Sequence, residues 1–296
     1  ITGLTCDTSA NLDGCTVSNK TTSIYNTSSI PSGSWTLGSL ALAPYNLILY
    51  SATYVYVALY NNAFTPQFGV STNGAEGVWT TVTPSGTARA YIASTYDGSR
   101  YCVYSSTRFV SCANSTGFTT GSTWTQNGTA LYTSGTLNMV ANNGSTSYVA
   151  LLSNSPYVVY ITSPTNPSTA GTWTAASTPP TEALAWVTYG GGQYVAVSSG
   201  TPGNIWTSPT GAVWTKQTSG TASNPGNQPY DFIYYDGSNY WAAGTSVLKI
   251  SQNGINWLNV GIFDMTYTYI GNNINYLATG SVGAIESSSN LTTWND

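Results

Sequence analysis

Short apolar runs alternate with clusters of Gly, Ser, Thr and Asn along the whole chain, and no stretch keeps the roughly 3.6-residue period of a long helix. Runs such as Ala90-Tyr-Ile-Ala and Phe232-Ile-Tyr-Tyr have strand length. Each leads into a tight-turn sequence, as at Asp97-Gly98, Asn143-Gly144, Gly190 to Gly192 and Asp236-Gly237. These residues tolerate the positive φ that hairpin turns demand. The most apolar stretch, Leu37 to Leu59, is broken by Pro44, Asn46, Ser51 and Thr53 and reads as two adjacent strands.

The runs belong to a repeat. A Trp, usually followed by Thr, recurs at Trp35, Trp79, Trp124, Trp173, Trp214, Trp257 and Trp294, at intervals of 37 to 49 residues. A second marker is a Tyr opening an apolar, often Ala-containing run, at Tyr56, Tyr101, Tyr148, Tyr194, Tyr240 and Tyr276. It keeps phase with the Trp, 17 to 25 residues ahead of it. Each unit reads as four short strands. An apolar strand and a tight turn come first, then the Tyr-marked strand. A third strand and a Ser/Asn/Gly turn follow, and the Trp opens the fourth. The leading segment fits the same frame, because Asp13-Gly14 matches the turn at Asp97-Gly98 and places Cys15 at the position of Cys102.

Four-strand units of about 40 to 50 residues are propeller blades. One such sheet cannot bury both faces alone, and radial packing lets each cover the next while leaving few exposed edges. The predicted fold is therefore all-β. It is a single seven-bladed β-propeller of four-stranded antiparallel blades, with blades near 1–39, 40–83, 84–128, 129–177, 178–218, 219–261 and 262–296. Six blades plus an N-terminal extension is the alternative. The repeat Trp is expected between blades.

The turn before the Trp resembles the Asp-box of the sialidase, or BNR-repeat, superfamily, roughly Ser-x-Asp-x-Gly-x-x-x-Trp. The clearest copies are Ser251-Gln-Asn-Gly-Ile-Asn-Trp257 and Ser71-Thr-Asn-Gly-Ala-Glu-Gly-Val-Trp79, with looser ones at Ser208 to Trp214 and Ser287 to Trp294. Asn, Thr or Ser stands in for Asp; Asn and Ser side chains also hydrogen-bond their own backbone. The resemblance implies a fold and not a reaction. Sialidases of this superfamily need three arginines from different blades, a Tyr nucleophile with a Glu partner and an acidic proton donor. Here Arg89, Arg100 and Arg108 fall in one unit, so the resemblance does not extend to sialidase activity.

Charge is sparse: 6 Lys+Arg, 10 Asp+Glu and no His, with a net charge of −4. Few groups titrate or are screened, so the surface is expected to respond little to pH or salt. Six scattered cations make no basic stripe, which excludes a nucleic-acid partner. No apolar run reaches the roughly 18 residues of a membrane-spanning helix. Without His there is no Ser-His-Asp or Cys-His centre. Glycoside hydrolysis would need two carboxylates about 5–10 Å apart. Asp13, Asp97 and Asp236 read as turn formers, and Glu76 and Glu286 adjoin the Trp turns. Glu182, Asp231 and Asp264, at or just before first strands, form the one acid cluster worth testing. No cofactor or metal site is expected.

Four cysteines form two close pairs, Cys6/Cys15 and Cys102/Cys112. Metal ligation lacks convergent partners. Two local disulfides in an oxidising compartment fit the spacing; four buried thiols are the other reading. N-glycosylation acceptors occur at Asn19, Asn26, Asn114, Asn127, Asn143 and Asn290. The expectation is an extracellular or cell-surface, non-enzymatic binding or adhesion propeller, directed at a glycan or surface protein. Its alternatives are a structural subunit of a filament, surface layer or virion fibre, self-associating with its own copies, and a degenerate glycoside hydrolase. Mass spectrometry without reduction is expected to find Cys6–Cys15 and Cys102–Cys112 linked; free thiols would remove the basis for the extracellular setting.

Overall fold

The computed structural model describes side chains for residues 69–70, 80–84, 89, 91–114, 117–118, 120, 123–162, 166–168, 173–217, 229–244 and 247–259, and backbone alone for the other strand residues named below. Every element among them longer than a turn is a strand. The first sheet joins β1 (Gly3–Cys6), β2 (Cys15–Ser18), β3 (Ile24–Thr27) and β4 (Thr36–Gly38). The second joins β5 (Tyr45–Ser51), β6 (Val55–Tyr60), β7 (Phe68–Ser71) and β8 (Thr80–Val82). The third joins β9 (Tyr91–Tyr96), β10 (Arg100–Ser105), β11 (Val110–Asn114) and β12 (Thr125–Gln126). The fourth joins β13 (Leu137–Asn142), β14 (Ser147–Leu152), β15 (Val158–Thr162) and β16 (Thr174–Ala175). The fifth joins β17 (Trp186–Gly190), β18 (Gln193–Val197), β19 (Ile205–Ser208) and β20 (Thr215–Gln217). The sixth joins β21 (Tyr230–Tyr235), β22 (Tyr240–Gly244), β23 (Val247–Ser251) and β24 (Leu258–Gly261). The last described sheet has β25 (Tyr267–Asn272), β26 (Tyr276–Gly280) and β27 (Ile285–Ser288). In every sheet the strands lie side by side in chain order.

The hairpin turns follow from their residue types. Asp97 Oδ1 accepts from the N–H of Ser99 and Arg100 at 2.9 and 2.7 Å, and Asp236 Oδ1 accepts from Ser238 and Asn239 at 2.8 and 2.7 Å. Both aspartates are the turn formers that the sequence predicts. Asn143 plays the same part, accepting from Ser145, Thr146 and Ser147. First strands carry a feature the sequence does not announce. The second residue of β5, β9, β13 and β21 is a bulge: Asn46, Ile92, Asn138 and Asp231 have no register partner. Bulges bend and twist a strand at its end.

The chain divides into two compact units, one of Ile1–Ser105, Ser111–Gln126 and Thr268–Asp296, the other of Ser106–Val110 and Asn127–Tyr267. In the first unit β5 lies against β1 and β9. A disulfide joins Cys102 of β10 to Cys112 of β11, with a Cα separation of 4.1 Å. Cys6 and Cys15 stand directly opposite in the β1–β2 ladder, and their side chains lie outside the described residues.

In the second unit the first strands β13, β17 and β21 follow one another in contact. Between the fifth and sixth sheets, Val195, Val197 and Ile205 meet Tyr230, Ile233, Ala242 and Trp257 in one buried cluster. The marker residues explain how the sheets join. The Tyr194 hydroxyl donates to the Ser147 carbonyl of the preceding sheet at 2.8 Å, and the Tyr240 hydroxyl donates to the Gly190 carbonyl of its own predecessor. The Trp173 and Trp214 N–H groups donate to Leu131 and Thr178, in the segments leaving the preceding sheets, at 2.8 and 2.9 Å. Gly211, at φ +84°, meets Val149 and Tyr160 so closely that a Cβ would lie 2.5 Å from Val149 Cγ2. Gly254, at φ +69°, sits likewise on Val195 and Thr207. Of the repeat tryptophans, Trp124, Trp173, Trp214 and Trp257 are buried; Trp35, Trp79 and Trp294 lie outside the described residues.

Burial gives the sheet contacts a pH signature. It raises the phenols of Tyr234 and Tyr240 from 10.0 to about 12 and pushes those of Tyr194 and Tyr230 higher still. It lowers the wholly buried Lys249 ammonium from 10.5 to about 8. A raised tyrosine stabilises the fold fully below its unfolded pKa, and that contribution is lost as pH climbs through the folded value. The depressed lysine acts oppositely, because the unfolded chain alone binds its proton between about 8 and 10.5. Urea midpoints are therefore expected to rise from about pH 8 towards 10 and to fall beyond it. Lys249→Met should flatten the rise. Tyr240→Phe should lower stability at neutral pH by about 1–2 kcal/mol, through the lost hydrogen bond and the orphaned carbonyl.

Candidate functional site

Two places in the second unit hold side chains that could act on a ligand. The first is the end of the fourth, fifth and sixth sheets that carries the links between second and third strands and the entries to first strands. Glu182 lies there, just before β17. Its carboxylate is already engaged: Asn204 Nδ2 donates to both oxygens at 2.9 and 3.0 Å, and Trp206 Nε1 donates to Oε1 at 2.9 Å. The predicted acid is thus a clamp within one sheet, tying the entry of β17 to β19 and the loop before it.

Asp231 is the bulge residue of β21, half-buried, with no hydrogen bond or ion pair among the described residues, and burial raises its carboxyl above the ordinary value. No hydrogen bond links Glu182 to Asp231. Asp264, the third member of the predicted trio, lies outside the described residues. Of the other described carboxylates, Asp97 is ion-paired to Arg100 at 2.8 Å in its turn, and Asp236 Oδ2 accepts from Trp241 Nε1 at 2.8 Å.

Of the described cations, Lys216 is exposed on β20 and Arg100 is paired in its turn. Arg108, held at φ +70°, donates from Nε to the Tyr132 carbonyl at 2.9 Å. Lys249 is sealed from solvent at 0% exposure, so its amine is not presented to a ligand. Among the described residues no cluster of His, Cys, Asp or Glu could hold a metal ion.

The second place is a groove of about 390 Å³ on the outer half of the sixth sheet. Ile250 of β23 and Leu258 of β24, directly opposite in register, supply its apolar surface. Asn239, Gln252, Asn253 and Asn256 supply carboxamides, and no ionisable residue lines it. The turn that forms one wall is the clearest predicted box. Asn253 takes the place of Asp: its Oδ1 accepts from the N–H of Ile255 and Asn256, both at 2.9 Å, and the Trp257 indole N–H donates to the Gly254 carbonyl at 3.0 Å. The fifth sheet repeats part of this, with Gly211 N–H donating to Ser208 Oγ and Trp214 Nε1 to the Gly211 carbonyl, each at 2.8 Å. The side chains of Asn239, Gln252 and Asn256 make no hydrogen bond among the described residues. Sequence reasoning missed this groove. Its available signal was Leu258, which stands where other units place the Thr after the Trp.

The predicted acceptor asparagines fare differently. Asn114 is exposed at the end of β11, and Asn143 is half-buried at its turn. Asn127 is turned inward at 8% exposure. Its Oδ1 accepts from the Val110 N–H at 2.8 Å and its Nδ2 donates to the Thr129 carbonyl. In the fold Asn127 links β11 to the segment after β12. Asn19 and Asn290 lie outside the described residues, as does the side chain of Asn26.

No family model matches the chain, and no curated protein matches it. Solved structures do. A catalytically inactive variant of virginiamycin B lyase from Staphylococcus aureus, solved with quinupristin, matches at a TM-score of 0.74 and 12% identity, covering 96% of this chain and 93% of that one. YCF48 from Cyanidioschyzon merolae matches at 0.70 and 12%, covering 97% and 94%. The computationally designed Ika8 protein matches at 0.64 and 9%, covering 100% and 85%. Identities this low speak to fold alone. The chain has the β-propeller architecture of its structural neighbours, built from four-stranded antiparallel sheets.

Proposed function

We propose that the sheets are the seven blades of a single propeller, and that it serves outside the cell as a non-catalytic recognition module for a glycan or surface protein. The observation that carries this reading is the employment of the described carboxylates. Asp97 and Asp236 build turns, Glu182 clamps a sheet, and Asp231 stands on a bulge without a partner. A hydrolytic site needs two acids with separated roles at one opening. What the surface offers instead is uncharged: carboxamides, hydroxyls and aliphatic side chains around a groove. Such groups recognise neutral, hydrogen-bonding ligands and are insensitive to salt.

The hydrogen bonding of the Ser251–Trp257 turn supports kinship with Asp-box repeats, in which the box is structural. The disulfide of β10 and β11 supports an oxidising location. One structural neighbour is a lyase, but at that identity a shared fold carries no reaction.

A glycan array probed with the whole chain is expected to return neutral glycans. An empty array, together with filaments in electron micrographs of native material, would instead favour the structural-subunit reading. Two substitutions test the carboxylates directly, with opposite signs. Glu182→Ala should destabilise the fold by about 1–2 kcal/mol, because Asn204 and Trp206 lose an ionised acceptor. Asp231→Asn should raise stability at pH 7. A carboxyl whose folded pKa is raised favours folding only at low pH, and that contribution disappears as pH rises through the folded value. Urea midpoints at pH 4 and 7 measure both. A glycosidase activity abolished by either change would overturn the non-catalytic reading.

A further inference from the structure

We propose that the groove on the sixth sheet is a binding site for a neutral saccharide, with Leu258 and Ile250 as its apolar platform and Asn239, Gln252 and Asn256 as its hydroxyl partners. The proposal rests on the recognition reading above and gives it a place and a ligand class.

The first argument is a departure from the repeat. The residue after the marker Trp is Thr at Thr36, Thr80, Thr125, Thr174 and Thr215, Leu at Leu258 and Asn at Asn295. Thr80, Thr125, Thr174 and Thr215 are exposed on their fourth strands. Leu258 is exposed too, at 69%, more than the other exposed large apolar residues described, Val213 at 49% and Ile255 at 39%. A leucine this open gains little from folding, since hydrophobic stabilisation scales with the area removed from water. Register places it opposite Ile250, which in turn stands opposite Trp241. An apolar row therefore runs out to the edge of the sheet, ending where the first five units have a Thr.

The second argument concerns what fills the corresponding recess elsewhere. On the fourth sheet, Val149 and Tyr160 are covered by Gly211 of the next unit. On the fifth, Val195 and Thr207 are covered by Gly254, and Gln193 Nε2 donates to the Asn253 carbonyl at 2.7 Å. On the sixth sheet the turn that would correspond, leading to Trp294, lies outside the described residues. Asn239, which precedes Tyr240 as Gln193 precedes Tyr194, has a carboxamide without a described partner.

The third argument is chemical. Each free carboxamide offers a donor and an acceptor, the pairing that adjacent ring hydroxyls present. No ionisable side chain lines the groove, so nothing there compensates a carboxylate, sulfate or phosphate. An aliphatic wall suits the C–H face of a pyranose. A volume of about 390 Å³ lies within the range of small-ligand sites.

The test is titration calorimetry of the full chain with maltotriose, cellotriose and N,N′-diacetylchitobiose, using 3′-sialyllactose as an anionic control. Wild type is expected to bind at least one neutral probe and to gain nothing from the anionic one. Leu258→Thr restores the residue used by the first five units, so the fold is retained, and it should weaken binding roughly tenfold. Asn256→Ala should do likewise, while Thr215→Leu on the neighbouring sheet should leave binding unchanged. Absence of binding by all neutral probes would overturn the site. So would affinity untouched by Leu258→Thr, or a wild-type dimer that this substitution turns into a monomer. If the variant keeps every array signal of the wild type, recognition stands and the groove falls; if the wild type gives no array signal, the recognition reading falls with it.

Discussion

Everything in the second unit depends on one constraint: no sheet can satisfy its own polar groups and cover its own faces without the sheet before it. A blade has two faces and one apolar set, so half of its burial is supplied by a neighbour. The link is made from fixed parts. A phenol at the head of the second strand reaches a backbone carbonyl in the previous sheet, as Tyr194 reaches Ser147 and Tyr240 reaches Gly190. A turn glycine lays bare backbone on the previous sheet's second and third strands, as Gly211 lies on Val149 and Tyr160. The phenol satisfies an acceptor that burial would otherwise orphan, and the glycine allows an approach that any Cβ would forbid. Together they fix both the spacing and the register of adjacent sheets, which an apolar contact alone would leave free to slide.

This explains why the marker is Tyr rather than Phe, and it also marks the limit of what residue types reveal. The order of four strands per unit was legible from the spacing of Trp and Tyr, and the Asp97 and Asp236 turns from their Asp-Gly pairs. The acceptor of the phenol was not, because it is a backbone atom carried by Ser in one unit and Gly in another. The bulges escaped for a related reason: Asn46, Asn138 and Asp231 are alike in shape, but Ile92 holds the same position, so no single residue type marks it. Glu182 was read as one of three acids at or just before first strands that merited testing as a cluster. Its partners Asn204 and Trp206 come from the far side of the same sheet, and only the pairing of β18 with β19 brings them near. The acceptor motif at Asn127 likewise did not announce the hydrogen bond its side chain takes from the Val110 N–H.

The poverty of charge fits the same design. Asp97, Arg100, Asp236 and Glu182 are tied into turns and clamps and Lys249 is wholly enclosed, while Asp231 is half-buried without a described partner and Lys216 is exposed on β20. Exposed turns and fourth strands are otherwise mostly Ser, Thr, Asn, Gln and Gly, with Leu258 among them. Steering by long-range fields is thereby given up, and discrimination falls to hydrogen-bond geometry and shape at short range. On the proposed recognition reading, such a surface would meet its ligand slowly and read it by contact, a mode that suits an immobile, densely displayed target better than a dilute soluble one.

In a repeat fold the informative residues are those that break the pattern without serving the packing. Each unit solves one problem, the covering of a neighbour, so positions bound to that problem converge and say little about function. Trp257 and Gly254 conform, and both are explained by the sheet they touch. Leu258 does not conform. Its position is occupied by an exposed hydroxyl at Thr80, Thr125, Thr174 and Thr215, and its own exposure of 69% leaves it little part in packing. Selection for stability would favour the Thr, whose branched chain suits an edge strand and whose hydroxyl water can satisfy. A large apolar side chain at such a place, beside carboxamides without a described partner, gains little from packing, and that is the physical ground for proposing a ligand there.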